Sequence, residues 1–580
     1  MKKPRPGSLS VQAVNQYRRR DILTYLALRF YLENSAARTD RWAREIATDL
    51  VLSRSNPVYF KSHHFKDISY NGDVDHRIMY LPCANEALAE SALLAECAKY
   101  PQAFGNAPCV FSYSINGNED RSGIFLHYSK GLRDRHQAIA QACDNIPGSV
   151  VRYIDLKKFY PSISSAMALA AWKTTASHAG IAEKWVDLGQ KLLHEHASVD
   201  PAFPGLLTGP MFSHLIANLV LRPLDERFGS DSRVFYCRYV DDITLVGSRD
   251  NVSSVLREIR AQIEAAGLSA HDDHSPKSLT LSADEWLRGR DDFHDSRRSI
   301  SWMTLIGDLK RFLIANPKSH DELRCAFGGA ELRIPVRDYS GAIYERSFLE
   351  KFKQLSSQRW FRKKTHQVTI KSLLKQALWL RESYDRELIE LLSDFERLSP
   401  YERKRRVPKI RYRAGRLSYL ASRSRLSELS QYLAITRDFY LQSKVMGAIS
   451  SGNISEVIRL GTNAAQAAAQ PMRAGEITAY IDPMRVCDVD LQAVSVFFLN
   501  GVRLIDDVCL ENVQSELLLL AKQGASPQLM RSNDLFLSEF ACLHGLQNGP
   551  RHASLLESVF DEDEDLAVDA ADQLGQSLSP

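Results

Sequence analysis

The sequence predicts an α/β N-terminal part followed by an all-α C-terminal part, and three observations carry that expectation. Strand-like runs rich in Val, Ile, Tyr and Phe recur through the first half, with Val150–Leu156 and Val234–Val246 the strongest. Beyond about Tyr344 such runs nearly vanish and long helical patterns take over. The 580 residues also exceed the roughly 100 to 200 of one domain, so two to four structural units are expected.

Composition narrows the class. Hydrophobic residues at 44% and charged residues at 25% are ordinary globular values, which excludes a collagenous, wholly disordered or membrane-embedded chain. Met1–Ser10 lacks an apolar signal region and no run of about 18 apolar residues occurs, so neither secretion nor membrane spanning is expected. The nine cysteines never form a Cys-x-x-Cys pair, which argues against a zinc ribbon or disulfide framework and fits a reducing cytoplasm.

Taken in order, residues 1–60 read as a helical lead-in, with periodicity from Val11 through Tyr31. Short strands are expected at Arg77–Leu81, Cys109–Ser114 and Ile124–Tyr128, and helices at Glu86–Lys99 and His136–Asp144. The helix Phe212–Leu221 lies between the two strongest strand segments. Residues 346–546 read as a helical bundle or irregular repeat, and 547–580 as a solvated tail whose last 20 residues hold seven acids and no base.

Arg233–Gly247 carries Tyr239-Val240-Asp241-Asp242 between two β-rich runs, a hairpin with two acids at its turn. Adjacent buried acids repel each other and suffer desolvation, which a divalent cation relieves; a solvated Asp-Asp turn is the bland alternative. Asp506-Asp507, in a helical context, is expected to be plain surface. At Val150–Ser164 a strand runs into Asp155, which either caps a helix or joins Asp241 around a pair of ions about 4 Å apart, the arrangement of in-line phosphoryl transfer.

These residues resemble a reverse transcriptase. Asp155-Leu-Lys-Lys-Phe-Tyr-Pro-Ser-Ile163 is similar to palm motif A, Gly205-Leu-Leu-Thr-Gly209 through Ser213, Ala217-Asn218 and Asp225 to motif B, and Tyr239–Asp242 to motif C, over residues 60 to 315. The resemblance implies a right-hand polymerase with fingers at 61–149 and a palm at 150–345, followed by the all-α domain. It implies an RNA-directed DNA polymerase holding two Mg2+ on Asp155, Asp241 and Asp242, with deoxynucleotides, RNA and nascent DNA as partners. Lys277 would serve the pyrophosphate, and Arg77 in His76–Pro82 would meet the triphosphate through its bidentate fork. Tyr160, five residues after Asp155, would exclude a ribose 2′-hydroxyl; a core aromatic is the alternative. Gly205 and Gly209 would let the backbone approach template and primer, with Ser213 beside them, and Trp302–Phe312 would form the primer grip. Thr208 replaces the family's usual glutamine, which puts template use in doubt.

Other local patterns read as bland. His271-Asp272-Asp273-His274 is expected to be a polar loop, because four consecutive residues cannot all point at one ion, and His194-Glu195-His196 is read as equally bland, because metal-binding histidines on one helical face need i, i+4 spacing. Lys66 reads as a surface lysine.

The group II intron enzymes' maturase and nuclease regions and the retron motifs are not identifiable. A palm followed by about 200 helical residues is instead similar to the abortive-infection, defence-associated reverse transcriptases of bacteria. That resemblance implies antiphage defence, in a group whose members variously polymerise with little template, use a noncoding RNA or form oligomers. A retron- or mobile-element-type reverse transcriptase and a catalytically silent nucleic-acid-binding scaffold remain as alternatives. Finally, Lys351–Arg425 carries 21 Lys and Arg against 7 Asp and Glu, densest at Arg403-Lys404-Arg405-Arg406. This run is expected to be exposed and to hold nucleic acid, the alternative being solvated helix faces.

Overall fold

The computed structural model describes residues 7–545 apart from 18–19, 33–35, 56–58, 70, 117–122, 127, 202–204, 274, 276, 294–296, 337–367, 506–509, 511–514 and 525. The expected boundary near 340–350, the acidic tail, Asp506-Asp507, His274 and the first part of the basic segment, through residue 367, lie outside the described residues. The described residues are mostly helical and form three small sheets.

The central sheet has four antiparallel strands in the order β4-β5-β3-β6: β3 Val150–Asp155, β4 Phe235–Tyr239, β5 Asp242–Gly247 and β6 Thr280–Ser282. Strand alternation divides its apolar residues between two cores. Ile154, Ile243 and Leu245 join the main core, with Phe228 of the Met211–Gly229 helix and Val255 and Ile259 of the Arg249–Ala265 helix. Val151 and Val246 face a second cluster with Ile139, Trp286 and Tyr401.

Two further strands, β1 Tyr59–Ile68 and β2 Val74–Pro82, form a hairpin closed through Gly72 at φ 86°. β1 has no strand signature because its inward groups are polar and find polar partners. Ser62 donates to Asp21 at 2.9 Å, and Asn463 Oδ1 accepts from the Phe65 amide at 2.8 Å. The hairpin thereby docks on the C-terminal helices, where Phe60 stacks on Phe536 with ring centroids 5.1 Å apart. Gly461, at φ 95°, is required there, since a Cβ would lie 2.0 Å from the His63 carbonyl.

Several expectations need correction. Among the described residues, Cys109–Ser114 and 124–126 make only isolated bridges in place of the expected strands: Val110 bridges Arg238 and Ile115 bridges Phe125, while Tyr113 at φ 48° breaks the extended run. The lead-in is helical as expected, but its periodic stretch is divided between Ser8–Tyr17 and Ile22–Tyr31, with Trp42–Ala47 and Thr48–Ser53 following. Trp302–Phe312 lies in the Arg297–Ala315 helix, which buries Trp302, Leu305 and Leu309 and exposes Met303, Thr304 and Arg311. The C-terminal part is not purely helical, because Ala479–Tyr480 and Leu504–Ile505 pair in parallel. The two halves share one apolar core running from Leu9 to Ala541. No helix among the described residues is long and apolar enough to cross a membrane.

Candidate active site

Asp155 ends β3 and Asp242 begins β5, and the two are direct partners across the antiparallel pair. Directly paired residues project to the same face, here the face of Tyr153 and the second apolar cluster. Asp241 occupies the β4–β5 turn beside Val240, whose φ of 56° is left-handed and costly for a β-branched residue. That turn is pinned from two sides: the Val240 amide donates to Ser112 Oγ at 2.8 Å, and Arg238 donates to the Val240 carbonyl at 2.6 Å. Arg238 is itself buried and held bidentately by Asp225, at 2.8 and 2.6 Å, and by Asn218. The Asn218 and Asp225 side chains thus support the turn through Arg238.

Cations surround the acids. Lys277 donates to Asp155 Oδ2 at 2.8 Å, and His271 Nε2 stands 3.1 Å from the same oxygen. Buried Arg135 lies 3.9 Å from Asp242 and donates to Thr244 at 2.7 Å. Burial and then the charge of Asp155 push Asp241 above the ordinary carboxylate range, while Lys277 and Arg77 oppose the shift. Burial likewise raises Asp242, against the pull of Arg135 and Lys404. Arg77, exposed on β2, is therefore close enough for its charge to act on Asp241. Desolvated acids with hard oxygen donors fit magnesium, and Asp155 with Asp241 would hold it while Asp242 faces Arg135. The three do not gather to within 4.8 Å of one another; the triplet among the described residues that does is Cys83, Glu86 and Glu539. That triplet already has a cation in the Arg54 guanidinium, which lies against Glu86 and 3.7 Å from Glu195.

Lys404 comes from the C-terminal half. Its helix, Pro400–Leu420, begins with a Ser399–Glu402 capping box and docks on the carboxylate face, where Tyr401 donates to the Trp286 carbonyl at 3.0 Å. The Lys404 ammonium lies 5.3 Å from the centre of the Tyr153 ring. The expected exposed basic patch is not found at Arg403–Arg406, because all four are half-buried and three are paired within the chain. Arg403 lies 3.3 Å from Glu396, Arg405 binds Asp292 at 2.5 and 2.9 Å, and Arg406 binds Asp394.

The remaining candidates have mixed positions. Tyr160 is half-buried, its hydroxyl 2.5 Å from His214 Nδ1. Gly209 is needed for a protein contact: at φ 131°, an added Cβ would lie 2.4 Å from the Tyr80 carbonyl. Gly205 similarly abuts the Pro161 carbonyl. Both glycines thus allow close packing, on β2 and on the segment after β3. Ser213 is fully buried in the Met211–Gly229 helix.

Sequence reasoning missed Arg135, His214, Lys404's approach to the carboxylates and the role of His271. The loop that carries His271 is tied to β3 and the segment after it, Asp272 pairing with Lys157 and Asp273 with Arg152. Glu195 and His196 are buried in the Glu183–Val199 helix. Lys66 pairs with Asp75 at the surface, as its bland reading has it.

No family model and no curated protein matches the sequence. Among solved structures, telomerase from Candida albicans in complex with a TWJ fragment of telomeric RNA is similar at 12% identity, with a TM-score of 0.25. The match covers 40% of this chain and 44% of that one, so the chain spans less than half of the telomerase. A likeness this loose carries no argument about activity.

Proposed function

We propose that this chain is a reverse-transcriptase-type DNA polymerase of right-hand architecture that adds deoxynucleotides by two-metal phosphoryl transfer. The observation that carries the reading is the direct pairing of Asp155 with Asp242, with Asp241 on a strained turn between β4 and β5. Two Mg2+, when bound, would neutralise charge on the transferring phosphoryl group. In this reading Asp155 and Asp241 hold the ions, Asp242 supports them, and Arg77 meets the triphosphate. Lys277 gives a proton to the departing pyrophosphate, and Tyr160 excludes the ribose 2′-hydroxyl. RNA, in the defence setting a dedicated noncoding RNA, and nascent DNA are the proposed partners, and antiphage defence in the bacterial cytoplasm is the proposed setting.

A second reading has its own support. Lys277, Arg135 and His271 already stand beside these carboxylates, as they would in a silent nucleic-acid scaffold whose acids form only ion pairs. Incubating the full-length protein with Mg2+ and labelled dNTPs separates the two. Incorporation that vanishes with EDTA supports the polymerase, and nucleic-acid binding without incorporation supports the scaffold.

A further inference from the structure

Tyr160 is not simply lodged in the core; it ends a chain of polar contacts that begins in the N-terminal lead-in. Its hydroxyl is 2.5 Å from Nδ1 of His214, on the Met211–Gly229 helix. The other ring nitrogen, Nε2, is 2.6 Å from an Arg20 guanidinium nitrogen. Arg20 also donates to the Tyr113 hydroxyl at 3.2 Å. The Tyr113 ring lies flat on the imidazole, with centroids 3.8 Å apart and planes 5° from parallel. His214 is 2% exposed. Tyr113 reaches this stack from a left-handed backbone at φ 48°, a conformation that costs about 1 kcal/mol or more and persists only where surrounding contacts over-determine it.

The donor inventory fixes the direction of the relay. Arginine can only donate, so His214 Nε2 accepts from Arg20. Burial, then the charge of Arg20, hold His214 well below its ordinary titration range, so the ring is neutral. A neutral ring that accepts at Nε2 carries its one proton on Nδ1, and that N–H donates to the Tyr160 oxygen. The tyrosine is thereby fastened at the far end of its ring, which a merely packed aromatic would not be.

We propose that His214, aligned by Arg20 and Tyr113, is a positioning residue that holds Tyr160 rigid and so sets how strongly the site discriminates between deoxyribose and ribose. The inference rests on the polymerase reading and deepens it. A steric filter rejects only as well as it resists displacement, because a ring free to swing turns a clash into a small rearrangement. The hydroxyl of Tyr160 thus acts on specificity through His214, while the ring face makes the exclusion.

The test measures kcat/KM for a dNTP and for the matching rNTP in full-length wild type, His214→Leu, Tyr160→Phe, the double variant and His214→Gln, all with Mg2+. Both Leu and Phe variants are expected to raise the rNTP-to-dNTP ratio about tenfold, the size of one net hydrogen bond, mainly through a lower KM for the rNTP. The double variant should add nothing further, since either change breaks the same bond. Gln at 214 can accept from Arg20 through its oxygen and donate to Tyr160 through its amide, so it should restore discrimination. Should the Leu variant misfold because Arg20 loses one of its two acceptors, Tyr160→Phe decides alone, because it removes one oxygen and takes no acceptor from Arg20. Single variants that keep the wild-type ratio while Tyr160→Ala relaxes it would overturn the clamp and leave the steric gate standing. A wild type that incorporates neither sugar overturns the polymerase reading, and this inference with it.

Discussion

Lys404, from the C-terminal helical half, holds its ammonium 5.3 Å from the ring centre of Tyr153, two residues before Asp155 on the same strand. Burial pulls this lysine below its ordinary value while Asp242 and Asp155 pull the other way, and burial dominates. A charge kept where it costs stability is a mark of function. Lys404→Met is therefore expected to leave the melting temperature unchanged or raised, and to lower dNTP incorporation at least about tenfold. Calorimetry and single-turnover rates check the two halves; a destabilised variant of full activity would contradict both.

Arg405 has the opposite character. It and Lys409 share Asp292, at 2.5 and 2.8 Å, and join the Pro400–Leu420 helix to the segment after β6. Burial works against the Asp292 charge, but the bonds from Arg405 and Lys409 hold its carboxyl below the ordinary range. A depressed carboxylate contributes stability above its unfolded value and loses it as pH falls through the folded one. Arg405→Ser should cost about 1–3 kcal/mol at pH 7, with the deficit shrinking in acid, as read by urea unfolding at several pH values.

A fully buried acid sets a second pH dependence. Glu90 accepts from the Tyr17 hydroxyl at 2.6 Å and the Met211 amide at 2.9 Å, yet burial pushes its carboxyl up from 4.5 to about 7. The folded chain then binds the proton more tightly than the unfolded one, so this group's contribution falls as pH rises from 4.5 to about 7. Glu90→Gln should match wild type near the bottom of that window. Above its top, at alkaline pH, the variant should be more stable by about 1–3 kcal/mol. Parallel stability curves for the two proteins would refute the assignment.

Gly209 tests the junction between β2 and the loop before the Met211–Gly229 helix. The Thr208 carbonyl accepts from the Tyr80 amide at 2.8 Å, and a Cβ at 209 would strike the Tyr80 carbonyl. With φ at 131° as well, Gly209→Ala is expected to cost at least about 2 kcal/mol and to lower soluble yield. Wild-type thermal stability would show that this contact is loose.

The carboxylate hairpin was legible because its signal is local: alternating apolar residues define both strands, and Asp241 and Asp242 fall at the turn between them. Its surroundings were not. Arg135, His214 and Lys404 approach from distant points of the sequence, and nothing near each residue announces its target. The density of Arg403–Arg406 was plain, but their partners Asp292, Asp394 and Glu396 were not assignable from charge counts. β1 escaped notice because hydrogen bonds to Asp21, Thr462 and Asn463 replace the apolar alternation by which strands are found.

Asp241→Asn bears most directly on the central claim. It keeps the side chain's size, removes one charge from a crowded group of acids, and leaves the Arg238 support of the turn untouched. The measurement is Mg2+-dependent incorporation of labelled dNTPs by full-length wild type and variant, with thermal unfolding run alongside. The expected result is incorporation by the wild type and a fall of several orders of magnitude in a variant that melts no lower. A folded Asp241→Asn protein that polymerises like the wild type would contradict the account.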